Sequence, residues 1–187
     1  MTFTLHTQST APDGSRKWLA AIEQRFGFVP NLFAVQAESP AMLEGFQALY
    51  KAFESTAFSA TERETILLAT SFENGCAFCV AAHTAAAFKQ KVSPEVIASL
   101  REGRSIGDAK LEALHRFTRA LVTKRGAVTE EETASFLRAG YDNRALLEVI
   151  MGVALMVMSN YTNRLAKTPL NESFEPFAWT DSRTDPK

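Results

Sequence analysis

The two cysteines of this chain stand close together and are followed by a histidine. Cys76 and Cys79 are the only cysteines among the 187 residues, and His83 is one of three histidines. In a domain of this size, a close cysteine pair is typical of a redox-active, catalytic or metal-binding site rather than of a structural disulfide framework. What these side chains can do depends on how the surrounding segments position them.

The Asn74-Gly75 pair directly before the cysteines predicts the end of one helix and the start of another. On a helix that begins near Cys76, the cysteines and His83 fall at positions i, i+3 and i+7 and share one face. The free N–H groups and the dipole at the helix N-terminus favour a thiolate there. A disulfide could close across the first turn, and His83 would lie within reach of the Cys79 proton, directly or through one water.

Glu64 extends this set if the helices on either side of Gly75 form an antiparallel hairpin. Glu64 lies eleven residues before Gly75 and His83 eight residues after it. At about 1.5 Å per residue, their heights along the hairpin differ by only about 4–5 Å. The order along the hairpin is then Glu64, His83, Cys79 and Cys76. A carboxylate that orients a histidine, a histidine that activates a thiol, and a second thiol that closes a disulfide form a proton relay.

Helix signals dominate the rest of the chain and predict an all-α protein of about eight helices in one domain, residues 1–187. Apolar residues recur every three or four positions, and no segment alternates as a strand would. Ser59 with Glu62 has the pattern of a capping box, as does Thr61 with Glu64. The predicted helices cover residues 15–26, a short turn at 29–31, 40–55, 59–72, 76–91, a segment opened by 93–95, 108–125, 129–140 and 142–167.

The composition excludes several classes of partner. The net charge is −1 and no block of like charge appears, so we expect no nucleic-acid surface and no polybasic membrane patch. The N-terminus lacks the charged and apolar regions of a signal peptide. The most apolar run, Val149–Met158, has ten residues, about half of the ~20 that a bilayer span needs. We therefore predict a soluble, cytoplasmic protein with neither nucleic-acid nor membrane partners.

Two segments predict a homo-oligomer. Val149–Met158 is apolar on every side, which is typical of a helix buried all round, and a domain of this size rarely encloses one completely. The small side chains of Ala81–Ala87 would let another helix approach closely, although alanine is also simply the best helix former. We expect one or both segments to contribute to a subunit interface.

The C-terminal part carries polar and aromatic residues of interest. Asn160, Tyr161 and Asn163 follow the apolar run and could meet the site around the cysteines. The aromatic side chains of the tail are expected to pin it to the body of the protein or to a neighbouring subunit. These aromatic residues are Phe174, Phe177 and Trp179.

The run Glu64-x11-Cys76-x2-Cys79-x3-His83 resembles the motif of AhpD-like alkylhydroperoxidases, which belong to the carboxymuconolactone decarboxylase superfamily. The resemblance is closest over residues 58–105, which contain NGCAFCVAAH and the SPE of 93–95. The flanks GFVPNLFAVQAESPAMLEGF and SNYTNRLAKTPLNESFEPFAW are similar to the peroxidase-related branch. The resemblance implies an all-helical fold that assembles as trimers, dimers or hexamers. It also implies a thiol peroxidase or disulfide reductase activity without metal, haem or other cofactor.

Carried over by position, the resemblance gives each residue a role. Cys79 would attack an organic hydroperoxide, Cys76 would resolve it as a disulfide, and His83 and Glu64 would relay protons. The partners are then a hydroperoxide and a thiol or dithiol reductant of unknown identity. The decarboxylases that name the superfamily lack the cysteine pair, which argues against their chemistry here. Many AhpD proteins carry a second histidine near the cysteines, and the Ala77-Phe78 pair in this chain predicts a more apolar pocket.

Other interpretations stay open at this point. In thioredoxin-type motifs the cysteine nearer the helix N-terminus, here Cys76, is usually the more reactive, so the two roles could be exchanged. Cys76, Cys79 and His83 could instead be zinc ligands, although a zinc site needs a fourth ligand and usually a loop. Cys79 could also be a small buried apolar residue. The same dithiol would equally suit a non-enzymatic redox sensor or scaffold.

Overall fold

The computed structural model describes residues 3–183, and the described chain is all-helical. It has nine α-helices, one 3-10 helix near the C-terminus and no strand. The predicted fold class is therefore confirmed, whereas the single domain over 1–187 stays a prediction. The helices are α1 (Asp13–Phe26), α2 (Asn31–Gln36), α3 (Pro40–Glu54), α4 (Ala60–Glu73), α5 (Ala77–Lys89), α6 (Pro94–Glu102), α7 (Ala109–Thr123), α8 (Glu130–Arg138), α9 (Asn143–Ala166) and the 3-10 helix Glu172–Phe177.

The start of α4 decides which way Glu64 faces. Of the two predicted capping boxes, the one that forms joins Ser59 and Glu62: the Glu62 N–H donates to Ser59 Oγ at 3.2 Å, and the Ser59 N–H donates to the Glu62 carboxylate at 2.8 Å. The prediction of a box between Thr61 and Glu64 is wrong, because Ser59 begins the helix two residues earlier. Glu64 therefore lies in the second turn, where it is buried.

Helix α4 is the centre of the fold and carries one side of the candidate site. All of its residues from Glu64 to Phe72 are buried, because α5, α6, α7 and α9 pack around it. A helix enclosed on all sides has no solvent face to follow the usual amphipathic pattern. This enclosure brings side chains of α5 and α9 against the same stretch of α4.

Helix α9 is buried on one side only. Val149 and Met156 lie in the core, whereas Ile150 is 48% exposed and Leu147 68% exposed. One protomer therefore does not enclose the run Val149–Met158 completely, as we expected for a domain of this size. The outward side of α9 is an apolar surface that continues to Leu165, which is 75% exposed.

The whole of α9 is longer than the apolar run that we noted in the sequence. With 24 residues and a mean hydropathy of 1.5 over an 18-residue window, it is long and apolar enough to cross a bilayer. Core helices of soluble proteins pass the same test, and the inner side of α9 packs against α2, α3, α4, α5 and α7. The absence of a membrane partner and the cytoplasmic location stay predictions.

We expect the protein to be a homo-oligomer that covers the outward face of α9. Light scattering should give a mass that is a multiple of the 20.6 kDa chain. Replacing Ile150 with glutamate should shift the protein toward monomer, because a buried unpaired charge at an interface costs several kcal/mol. Leu5→Glu is the matched control, since Leu5 is similarly exposed (42%) but lies outside α9. A monomeric wild-type protein at micromolar concentration would contradict this prediction.

The C-terminal strap, residues 171–179, packs on the body of the same chain. The Arg101 guanidinium donates to the carbonyl oxygens of Phe177 and Ala178, both at 2.9 Å, and Trp179 Nε1 donates to the Arg101 carbonyl at 2.9 Å. These contacts and the aromatic pairs confirm that the tail aromatics pin it to the protein. The pairs are Phe174 with Phe78, Phe177 with Phe88, and Trp179 with Phe72.

Candidate functional site

The Asn74-Gly75 turn sets the start of α5. Helix α4 ends in a Schellman motif, in which the Gly75 N–H donates to the Phe72 carbonyl at 3.0 Å and the Cys76 N–H to the Ser71 carbonyl at 3.0 Å. Gly75 has a φ of 62°, which favours glycine. A Cβ at this position would also lie 2.9 Å from the Arg164 guanidinium. The turn therefore fixes Cys76 as the N-cap residue of α5.

The two thiols face each other at the start of α5. Both cysteines are free and buried, and the Cys76 S–H donates to the Cys79 sulfur across 2.9 Å. A disulfide bond is about 2.05 Å long, so the sulfurs are not bonded but lie close enough to join. The predicted placement of the pair at the beginning of one helix is confirmed.

Helix α9 supplies two further polar side chains to Cys79. Ser159 Oγ lies 3.2 Å from the Cys79 sulfur, and Asn163 Nδ2 donates to it, also at 3.2 Å. Both residues are buried. The sulfur of Cys79 is thus approached from three directions, by Cys76 on its own helix and by two residues of α9.

These contacts shift the pKa values of the two thiols in opposite directions. Burial raises the pKa of Cys79, but hydrogen bonds from Cys76, Ser159 and Asn163, with the nearby His83, lower it to about 6. The hydrogen bond to Cys79 and burial raise the pKa of Cys76. One buried site cannot easily hold two negative charges, so one thiolate forms and the other thiol stays protonated. The opposite directions of the two pKa shifts make Cys79 the thiol that ionises first.

Glu64 and His83 meet between α4 and α5. His83 Nδ1 donates to Glu64 Oε2 at 3.0 Å, and Gln90 Nε2 donates to Glu64 Oε1 at 2.6 Å. Both carboxylate oxygens are therefore occupied, and the Glu64 side chain is held in place. A proton on His83 Nδ1 leaves Nε2 as the basic nitrogen of the neutral ring. The structure thus brings together the carboxylate and the imidazole that the sequence paired.

His83 lowers the pKa of Cys79 through its charge and not through a hydrogen bond. Within residues 3–183 no direct hydrogen bond joins the two side chains, although His83 lies one turn beyond Cys79 on α5. Burial lowers the pKa of His83, but the charge of Glu64, its hydrogen bond and the charge of Cys79 raise it above its usual value. An imidazolium and a thiolate can therefore coexist in this site.

An apolar pocket of about 260 Å³ opens onto this pair. Cys79, His83 and Ser159 form one wall, whereas Cys76 does not line the pocket. The other walls are mostly aromatic or aliphatic. They include Phe26, Phe28, Pro30, Leu32, Phe33, Phe46, Tyr50, Phe78 and Phe174, with Ala82, Ala85 and Ala86 of α5. A dry cavity of about 150 Å³ holds benzene, so this pocket can take a substituted single ring or a branched alkyl group.

The pocket explains two patterns in the sequence. Phe78, between the cysteines, packs edge-on against Phe174 at a centroid distance of 6.0 Å, and both rings line the pocket. The small side chains within Ala81–Ala87 face the pocket in part, where they leave room for a ligand. Their small size therefore has a role within the protomer, and their part in an interface stays a prediction.

The hydrogen-bond partners of Cys76, Cys79 and His83 bear on whether these three residues could bind zinc. His83 Nδ1 is engaged with Glu64, and Cys76 donates its own proton to Cys79. Within the described part of the chain, no three His, Cys, Asp or Glu side chains converge to hold a metal ion. These side chains instead form two separate hydrogen-bonded pairs, Cys76 with Cys79 and His83 with Glu64.

Sequence reasoning found part of this site. Asn163 does reach it, and Asn160 lies nearby, where its Oδ1 accepts from Asn74 at 2.8 Å. Tyr161 points outward and is 60% exposed. Ser159 was missed, although a signal was present: it is the first polar residue after the apolar run Val149–Met158 and lies one turn before Asn163. Gln90 carried no recognisable signal.

Comparison with known proteins agrees with this geometry. Residues 40–119 match the model of the carboxymuconolactone decarboxylase family. No curated protein sequence matches the chain significantly.

Several solved structures share the fold. An uncharacterized peroxidase-related protein with an AhpD core from Ralstonia eutropha JMP134 is 23% identical with a TM-score of 0.82, over 92% of this chain and 93% of that one. A peroxidase-related protein from Silicibacter sp. TM1040 is 20% identical with a TM-score of 0.80, over 93% and 92%. A variant of the debrominase Bmp8 in complex with 2,3,4-tribromopyrrole is 18% identical with a TM-score of 0.81, over 95% of each chain. At these identities the structures establish the fold alone.

The match over residues 40–119 contains Glu64, both cysteines and His83, and the AhpD-like fold extends through the flanking helices. Residues 40–119 are therefore similar to the carboxymuconolactone decarboxylase family, and the fold of the chain is similar to that of the peroxidase-related proteins with solved structures.

Proposed function

We propose that the protein is a thiol-dependent peroxidase that reduces organic hydroperoxides. The observation that carries this proposal is the Cys79 sulfur at the wall of an apolar pocket, with Cys76 as a second thiol 2.9 Å behind it. A nucleophilic thiolate open to substrate and a protonated thiol closed to it are what a two-step dithiol reaction needs.

The reaction balances with groups of this chain and one external reductant. The Cys79 thiolate attacks the terminal oxygen of ROOH, so that an S–O bond forms, the O–O bond breaks and RO⁻ leaves. His83 in its protonated form gives RO⁻ a proton, and Cys79 becomes a sulfenic acid. The Cys76 thiol then displaces water from that sulfur to form the disulfide. The sum is ROOH plus two thiols giving ROH, water and a disulfide, which a thiol or dithiol reductant must open again.

Glu64 has an orienting role in this scheme. Its carboxylate holds His83 Nδ1, so that Nε2 faces the reaction and the imidazolium is stabilised. Gln90 holds the second carboxylate oxygen. The four residues Glu64, Cys76, Cys79 and His83 form the proposed catalytic set.

The function is tested with cumene hydroperoxide as substrate and dithiothreitol as reductant. We expect repeated turnover with dithiothreitol and, without it, reduction of about one hydroperoxide per protein with formation of a Cys76–Cys79 disulfide, followed by mass spectrometry. Cys79→Ser is the control and should lose both reactions. Because the pocket is apolar, cumene hydroperoxide should react faster than hydrogen peroxide at equal concentration, by about 10-fold for the apolar group buried.

The same assay separates an enzyme from a redox sensor. A sensor needs an oxidised state that persists, so its disulfide would resist dithiothreitol and hydroperoxide consumption would stop after about one equivalent per protein. Disulfide formation without repeated consumption of hydroperoxide would therefore favour the non-enzymatic alternative.

The aromatic pocket also favours a second candidate, the reductive removal of bromide from a small aromatic ring. Phe28, Phe78 and Phe174 line the pocket beside Cys79, and its volume of about 260 Å³ suits a small planar ring. The fold is shared with a debrominase whose structure holds a tribromopyrrole. The dithiol would supply two electrons, so that ArBr and two thiols give ArH, HBr and a disulfide. Release of bromide from 2,3,4-tribromopyrrole with dithiothreitol, without hydroperoxide turnover, would favour this candidate.

A further inference from the structure

Two side chains of α9 are directed at the Cys79 sulfur and at nothing else. Ser159 Oγ and Asn163 Nδ2 each lie 3.2 Å from it, and the two residues are 3% and 4% exposed. Within residues 3–183, the sulfur is the only hydrogen-bond partner of the Ser159 hydroxyl and of the Asn163 amide, whose Oδ1 has none.

Such an arrangement suits a charged sulfur better than a neutral one. Burying an amide or a hydroxyl costs free energy unless it makes a good hydrogen bond. A neutral thiol is a weak acceptor, whereas hydrogen bonds to an ionised acceptor are about twice as strong as those between neutral groups. Two buried donors that converge on one sulfur are therefore best accounted for when that sulfur is a thiolate.

We propose that Ser159 and Asn163 are further catalytic residues, whose O–H and N–H groups hold the Cys79 sulfur as the thiolate. Their part resembles that of the N–H groups in an oxyanion hole, except that the charge they hold is on the nucleophile before it attacks. The catalytic part of this role rests on the proposed function, in which Cys79 is the attacking thiol.

The movement of charge in the reaction shows which step Ser159 and Asn163 affect. The thiolate gives an electron pair to the substrate and loses its negative charge as the S–O bond forms. Ser159 and Asn163 thus raise the fraction of reactive thiolate and do not stabilise the leaving group. Without them the rate should fall at low pH, where the thiol is protonated, and recover at high pH, where the thiolate forms anyway.

Apart from Cys76, which the test replaces with serine, the ionisable groups near the sulfur stay in place. Burial raises the pKa of Cys79 while the hydrogen bonds from α9 lower it, so removal of either donor has a defined sign. The ionisable side chains that share the site are Cys76, His83 and Lys89 on α5, Glu64 on α4 and Tyr50 on α3.

The test uses Cys76→Ser protein, which has a single thiol and keeps an O–H donor beside it. Ser159→Ala and Asn163→Ala are added separately, and thiolate absorbance is followed from about pH 4 to about pH 10. Each change should raise the Cys79 midpoint by about one to two pH units, the worth of one hydrogen bond to a charged group. Alkylation by iodoacetamide should slow by about 10-fold near pH 6 and recover near pH 9.

Thr162→Val is the matched control on the same helix. Its hydroxyl donates to the Met158 carbonyl at 2.7 Å and does not touch Cys79, so the midpoint should stay where it is. Asn163→Asp keeps the shape of the side chain but puts a like charge beside the sulfur, and it should raise the midpoint more than Asn163→Ala.

The outcomes separate this inference from the proposed function. Unchanged midpoints in folded Ser159→Ala and Asn163→Ala proteins would overturn it, whether or not the wild type reduces hydroperoxides. If Asn163→Ala does not fold, the Cys79 midpoints of Ser159→Ala and Asn163→Asp test the inference instead. Raised midpoints in a protein that turns over no hydroperoxide would uphold the thiolate site and reject the peroxidase.

Discussion

Replacing Cys79 with serine should reduce the rate of hydroperoxide reduction by at least about 1,000-fold, because loss of a nucleophile removes the covalent step. Cys76→Ser should behave differently. Its first turnover should stay within about 3-fold of wild type, since the serine hydroxyl keeps a hydrogen bond to Cys79. The second turnover should fail, because Cys79 then ends as a sulfenic acid without a resolving thiol. Rapid-mixing measurement of the first hydroperoxide consumed separates the two variants.

The structure gives a physical reason for this order of roles. Cys79 lines the pocket and Cys76 does not. The hydrogen bonds around Cys79 lower its pKa although burial raises it, whereas the pKa of Cys76 is raised. Loss of the first turnover in Cys76→Ser, with its retention in Cys79→Ser, would exchange the two roles and leave the dithiol chemistry intact.

Glu64 and His83 should act as one unit. His83→Ala should slow single-turnover reduction by about 100-fold, the usual contribution of a general acid or base. Glu64→Gln should cost about 10-fold, which corresponds to one hydrogen bond to a charged group. Because Glu64 acts through His83, the double variant should be about as slow as His83→Ala alone.

The pH dependence of Glu64→Gln gives a second readout. In the wild type the rate should rise as pH passes the Cys79 pKa of about 6 and fall where the imidazolium, whose pKa is raised, loses its proton. Glu64 is the main group that raises the His83 pKa. Its removal should therefore move the falling limb to lower pH, and the earlier loss of imidazolium should move the rising limb to higher pH.

Two results would contradict the prediction that Glu64 and His83 act as one unit. One is a double variant about 1,000-fold slower than wild type, the product of two independent effects. The other is a falling limb that stays in place in Glu64→Gln.

The local part of the site could be predicted from the sequence because it depends on short-range rules. Asn74-Gly75 indicates a helix end by its own chemistry, and residue counts on either side of it are enough to bring Glu64 near His83. The fold class followed from periodicity and caps, which are also local. Of the two predicted capping boxes, Ser59 with Glu62 is confirmed, and Thr61 with Glu64, two residues later, is wrong.

The distant part of the site could not be predicted in the same way. Ser159 and Asn163 are about eighty residues from Cys79 in the chain, and their approach depends on how α9 packs on α4 and α5. Phe174 reaches the pocket only because the strap folds back over α5. The sequence predicted that one protomer would not enclose the apolar run of α9, but it could not say which side of the helix meets the core, because that depends on how the distant helices pack.

Because the C-terminal strap forms one wall of the pocket, that wall can vary in sequence separately from the residues that carry the chemistry. Phe174 and Ser173 line the pocket, yet they lie outside the helices that hold the cysteines, and Arg101 and Trp179 fix the strap from the opposite end. Substitutions in this short segment can reshape one wall of the pocket without disturbing the thiols or the Glu64–His83 pair. Evolution or engineering could therefore vary which molecules enter, near the end of the chain, while leaving the chemistry in the centre of the fold unaltered.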